Sequence, residues 1–136
     1  MTLIDLPGIT RVPIGAQPDN IEEITRNMAI KYKNNPLTII LCVIATNNDI
    51  DTSDGLKLAK EIDKNGTRTL GVLTKLDIMD EETDAEKTLL NKEIELKLGY
   101  IVIINRSKKD LDNKLSIEEI SKKEKEFFKD LEHRIY

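Results

Sequence analysis

These 136 residues hold one cysteine and one histidine. A single cysteine excludes an internal disulfide. Cys42 lies within Ile39-Ile40-Leu41-Cys42-Val43-Ile44, where it reads as a small packed hydrophobe rather than a redox or catalytic thiol. His133 has no second histidine with which to make a metal-ligand spacing. Clustered positive charge is also missing. The net charge is −4 with 34% charged residues, and Lys122-Lys123-Glu124-Lys125-Glu126 alternates in sign, as a solvated helix face does. A broad nucleic-acid surface is thereby excluded. No apolar run approaches the roughly 18–20 residues that cross a bilayer. The opening residues show neither a basic start nor a small-residue cleavage site, so no signal peptide is expected and the expected setting is cytoplasmic. Nor does a glycine-rich phosphate loop of the form G-x-x-x-x-G-K-[ST] occur anywhere.

What is present is an alternation of apolar runs and amphipathic stretches. Residues 2–6, 38–45, 69–74 and 100–105 read as strands. The central two are continuously apolar and rich in Ile, Val and Leu, the pattern of strands covered on both faces. Between them, Ile21, Ile24, Met28 and Tyr32 share one helical face behind the start signal Pro18-Asp19-Asn20. Leu56, Ala59 and Ile62 form a second stripe, opened by Asp51-Thr52-Ser53 and closed near Asn65-Gly66. Residues 83–98 make a third, weaker helical stretch ending at Gly99. Ser116-Ile117-Glu118-Glu119 has the form of a capping box, followed by Ile117, Ile120, Phe127, Phe128 and Leu131 at helical spacing. Strands alternating with helices predict an α/β domain with a mostly parallel sheet, and such sheets bind ligands at the carboxyl ends of their strands.

Polar groups fall at just those ends. In Thr74-Lys75-Leu76-Asp77, the Asp77 carboxylate suits the paired N1–H and N2–H₂ donors of guanine and would repel the N1 acceptor of adenine. The aliphatic stem of Lys75 can lie along a purine face. The same four residues would also serve as a plain turn with Asp77 capping a helix. Asn105-Arg106-Ser107 follows the next strand. Its backbone amides suit guanine O6, and Arg106 suits stacking on base or ribose. Asp5-Leu6-Pro7-Gly8 closes the first run. Asp5 suits a water-mediated contact to Mg²⁺, and Gly8 lets the backbone N–H approach a terminal phosphate. A Pro-Gly turn alone would look the same.

Taken in order, these segments resemble the dynamin family of large GTPases, over nearly the whole chain. The resemblance is carried by Asp5-Leu6-Pro7-Gly8-Ile9-Thr10-Arg11-Val12-Pro13-Ile14-Gly15-Ala16-Gln17-Pro18. Thr52-Ser53-Asp54-Gly55-Leu56-Lys57-Leu58-Ala59-Lys60-Glu61 adds to it. So do Gly71 through Asp80, and Gly99-Tyr100 through Asn105-Arg106-Ser107. It implies an incomplete three-layer α/β/α fold of the P-loop NTPase type, with residues 1–136 forming the C-terminal portion of a G domain. By resemblance, Asp5 and Gly8 are catalytic and lie near Mg²⁺ and the γ-phosphate. Thr74, Lys75 and Asp77 read guanine, while Asn105, Arg106 and Ser107 flank the base. Asp80 lies near the nucleotide when two G domains pair. Asp49 is the loop residue that steadies the neighbouring domain's switch. Lys108 also belongs to the nucleotide contacts, although the family often has Gln there.

The implied ligands are GTP and GDP with Mg²⁺, and the implied partner is a second G domain. Membrane association would come through parts of the parent protein not found in this sequence; family analogy adds microtubules. The parent is expected to hydrolyse GTP to drive membrane remodelling. With no phosphate loop in the sequence, the 136-residue chain is expected to hydrolyse little or none. In G domains the strand leading into that loop lies between those ending at Asp5 and Ala45. Strands 38–45, 69–74 and 100–105 are therefore expected to form a parallel core, with residues 2–6 displaced, paired out of order or associated across a dimer. The alternative is a non-catalytic, G-domain-like interaction module that uses Asp49 and an exposed strand edge.

Overall fold

Of the four apolar runs, three pair and one does not. The computed structural model describes residues 1–32, 35–46, 50–76, 91–92 and 94–135. Strands β1 (Ile40–Ala45), β2 (Thr69–Thr74) and β3 (Tyr100–Ile103) form a parallel sheet in the order β1-β2-β3. Helix α1 (Ile21–Lys31) precedes the sheet, and α2 (Asp54–Ile62), after a short 3₁₀ turn at Ile50–Thr52, connects β1 to β2. After β3 come α3 (Lys108–Asp112) and the long α4 (Ile117–Ile135). This is the α/β class with a parallel sheet that the alternating pattern predicts. No helix among the described residues is long and apolar enough to cross a membrane.

The core lies between the sheet and α2. Leu73 of β2 and Leu56 of α2 are almost wholly enclosed, with Cys42, Ile44, Ala59 and Leu96 around them. β2 is central, hydrogen-bonded on both sides, and buried along most of its length. Ser53 starts α2 by accepting a hydrogen bond from the Leu56 amide at 3.3 Å. The helix ends at Asp63. Its buried carboxylate takes hydrogen bonds from the amides of Thr67 (3.1 Å) and Arg68 (2.8 Å) and from the hydroxyls of Thr67 (3.1 Å) and Thr69 (2.8 Å). That one side chain thus shapes the approach to β2, and Gly66, with φ +60°, turns within it. The Arg26–Glu61 ion pair links α1 to α2. The expected capping box at Ser116 is present: Glu119 accepts from the Ser116 amide at 2.7 Å, and Ser116 accepts from the Glu119 amide at 3.2 Å.

Several expectations need correction. Residues 2–6 form no strand and stand exposed, Leu3 at 77% of its full surface. A strand requires a partner ladder, and none is offered to this segment among the described residues. The uninterrupted apolarity of β1 does not mean that both faces are covered. Cys42 and Ile44 are buried against α2, whereas Leu41 and Val43 on the opposite face keep 50% and 64% exposure. The strand predicted over 38–45 begins at Ile40, and that predicted over 100–105 ends at Ile103. The helix expected over 83–98 falls largely outside the described residues; its described remainder, 91–92 and 94–98, is turn and loop. In α1 the most buried residue is Thr25, whose hydroxyl donates within the helix to Ile21 and Glu22, while Met28 is 41% exposed.

Two substitutions test this packing. Leu73→Ala is expected to cost about 2–5 kcal/mol in urea unfolding, as an enclosed leucine should. Asp63→Ala strands the buried Thr69 hydroxyl and is expected to cost at least about 1–3 kcal/mol. A loss below about 0.5 kcal/mol in either variant, the range of an uninvolved surface residue, would contradict the packing described.

Candidate functional site

Parallel register brings three strand ends into one row, since Ala45 pairs with Thr74 and Thr74 with Ile103. Whatever follows those residues emerges at the same edge. The first two ends are cross-tied. The Thr74 hydroxyl donates to the Ile44 carbonyl at 3.2 Å, and the Thr74 carbonyl accepts from the Thr46 amide at 3.0 Å and its hydroxyl at 2.9 Å. Both threonines are buried. Lys75 comes next, with φ +64°, a left-handed backbone that a non-glycine residue adopts only where its surroundings enforce it. Here Thr74 on one side and Leu76, 7% exposed, on the other are both held inward. Lys75 is exposed between them, at the end of the sheet.

The neighbouring turn is built differently. Asn105 and Arg106 leave β3 exposed, and Ser107 caps α3, whose first residue is Lys108. Asp110 closes a capping box on that serine. Its Oδ2 accepts from the Ser107 amide at 2.9 Å and the Ser107 hydroxyl at 2.6 Å, while the Asp110 amide donates back to Ser107 Oγ at 3.1 Å. Its second oxygen, Oδ1, receives Lys123 Nζ from α4 at 2.7 Å. The Lys123 ammonium, followed by the two Ser107 donors, holds the Asp110 carboxyl well below its ordinary value.

Thr74, Lys75, Asn105, Arg106, Ser107 and Lys108 thus lie on two adjacent strand ends. Asp49, Asp77 and Asp80 fall outside the described residues. Asp5 and Gly8 do not follow a strand, because residues 2–6 are unpaired; both are exposed, and a Cβ built at Gly8 would meet nothing within 4 Å. Their segment is fixed further along, where Arg11 makes a two-pronged ion pair with Asp54 at the start of α2, one prong at 2.8 Å. Among the described residues no group of three or more His, Cys, Asp or Glu could hold a metal ion.

Sequence reasoning missed Thr46, Asp110, Lys123 and the Arg11–Asp54 pair. Of these only Asp110 carried a local signal, the Ser-x-x-Asp spacing from Ser107; the others are contacts between distant segments. Sequence reasoning also offered the Ser107 amide to a ligand, whereas the amide is already engaged by Asp110.

Polar turns on adjacent strand ends of an open parallel sheet place this chain among α/β proteins, a class whose ligands bind at the carboxyl edge of the sheet. Comparison with known proteins narrows the class. The family model for the dynamin family matches residues 1–76, and that for the dynamin central region matches residues 84–136. Vacuolar protein sorting-associated protein 1 of Schizosaccharomyces pombe is 50% identical over 128 residues, covering 94% of this chain and 19% of that protein. Mouse Dynamin-3 is 49% identical over all 136 residues, which are 16% of its length. Dynamin-B of Dictyostelium discoideum is 48% identical across the whole chain and 15% of its own length. The chain belongs to the dynamin family, and it spans only 15–19% of these relatives.

Acid should weaken the fold through two carboxylates. Burial pushes Asp63 up, but the hydrogen bonds from Arg68, Thr69 and Thr67 outweigh it, so Asp63, like Asp110, titrates below the usual 3.8. A depressed carboxyl contributes stability that is present above its unfolded value and lost as pH falls towards the folded one. The urea midpoint is therefore expected to be level from pH 7 to about 5 and to drop below about pH 4. Asp110→Asn should shallow that acid limb. An unchanged acid limb in the variant would contradict the ionised Asp110 network.

Proposed function

We propose that this chain is the C-terminal portion of a dynamin-type G domain and contributes its guanine-reading half. Support comes chiefly from one observation: the turns after β2 and β3 stand side by side, with Lys75 forced outward in the first and Asn105 and Arg106 exposed in the second. The sheet also bears on the domain boundary. β2 lies within residues 1–76 and β3 within residues 84–136, yet they pair along four positions. That pairing supports reading the two matched stretches as parts of one domain.

In this reading the Asp77 carboxylate accepts from N1–H and N2–H₂ of guanine, and the Lys75 stem covers one purine face. Thr74 holds the turn by its tie to β1. Asn105, Arg106 and Lys108 approach the base and ribose, and Ser107 holds their turn. Asp80, near the nucleotide, and Asp49 meet a second G domain. In the whole protein, Gly8 offers its N–H to the terminal phosphate and Asp5 takes a water-mediated place beside Mg²⁺, most of whose ligands come from phosphate and water. GTP hydrolysis there drives membrane remodelling by a cytoplasmic protein bound peripherally to membranes. Microtubules are a further partner by family analogy.

Calorimetry on the 136-residue chain tests the base-reading claim. GDP and GTP should bind weakly and about equally, because base and ribose supply the contacts, and ADP should give no heat of binding. Equal binding of GDP and ADP would contradict guanine selectivity. A hydrolysis assay with GTP and Mg²⁺ should show little or no turnover; sustained turnover by the pure chain would overturn the assignment of phosphate chemistry to other parts of the protein.

A further inference from the structure

We propose that Asp110 and Lys123 act together as positioning residues that set the turn 105–108 for its ligand, an inference resting on the guanine reading above. A capping box needs only one carboxylate oxygen. Asp110 uses Oδ2 for that purpose, taking both the amide and the hydroxyl of Ser107. Its Oδ1 is engaged separately, by Lys123 from the second turn of α4. The carboxylate side chain is 8% exposed and the lysine side chain 61%. A largely enclosed anion is thus neutralised by a cation reaching in from the surface, and the turn is held to two helices at once.

α3, only five residues long, makes too little structure to hold a turn by itself. Without Lys123, the enclosed carboxylate would keep its box but lose its counter-charge. With it, the turn is braced before any ligand arrives, and the ordering cost of binding is already met by the fold.

The arrangement also assigns contacts. Because the N–H and O–H of Ser107 face Asp110, neither is free for guanine O6. Hydrogen bonds from this turn to a base or ribose must come from Asn105, Arg106 and Lys108, all exposed. Ser107 and Asp110 thereby select which side chains face the ligand without touching it themselves. On the neighbouring strand the Thr46–Thr74 tie does the same for Lys75. Both turns are built in advance, by unrelated contacts.

Lys123→Met tests this with the capping box left in place, and Lys123→Arg serves as the conservative rescue. Amide hydrogen exchange on the full 136-residue chain should rise about tenfold at the Ser107 and Asp110 amides, which the box protects, in Lys123→Met while β2 amides keep their rates, as expected from loss of a hydrogen bond to a charged group. GDP affinity should fall several-fold in the same variant, and Lys123→Arg should restore both readouts. Unchanged exchange at the Ser107 and Asp110 amides would overturn the proposal. So would a rise spread evenly over the chain, which marks general stability only, or a local rise that leaves GDP affinity untouched. If the unaltered chain binds no GDP, the guanine reading fails by itself, and the exchange data still decide whether Lys123 braces the turn.

Discussion

Everything at the functional edge depends on the parallel pairing of β2 with both its neighbours. That pairing aligns Ala45, Thr74 and Ile103 in one row, so three chain exits share one side of the sheet. It rests in turn on the packing of Leu73, Leu56 and their neighbours, which seats α2 against the strands. Shift β2 by one residue and its inward and outward side chains exchange faces. Lys75 would then no longer be the residue forced out between buried Thr74 and Leu76. The chemistry of the turns is local, but their juxtaposition is a property of the register.

The two turns show two ways of holding polar residues in place. After β2 the restraint is applied from behind, by hydroxyl and amide bonds between Thr46 and Thr74, and Lys75 takes up a left-handed backbone as a result. After β3 it is applied from ahead, by Asp110, which turns Ser107 inward and leaves its neighbours outside. Neither turn relies on glycine. By contrast, the Asp5–Gly8 segment has no strand behind it and is restrained mainly by the Arg11–Asp54 pair beyond it. The turns that leave β2 and β3 are thus each tied to a neighbouring element, whereas Asp5–Gly8 follows no strand.

Legibility in the sequence followed the range of the interaction. Strands β1, β2 and β3 and helices α1 and α2 could be read from local periodicity, because Ile, Val and Leu runs and amphipathic stripes are local signals. The box at Ser116 was equally readable. The Thr46–Thr74 tie and the Lys123–Asp110 bridge span 28 and 13 residues, and no local pattern announces either. Residues 2–6 mark the converse failure. Leu3, Ile4 and Leu6 have the apolarity of a strand, but strand formation depends on a hydrogen-bonding neighbour that composition cannot supply. β1 misled in a related way, since its apolar run gives no sign that Leu41 and Val43 would face outward.

The central claim is that the turns after β2 and β3 form one purine site. Amide chemical shifts of the 136-residue chain during titration with guanosine test it most directly. Residues 75–76 and 105–108 should shift together, along one saturation curve, and should stay still when adenosine is added instead. Shifts confined to one turn, following two different curves, or reproduced by adenosine would contradict the account.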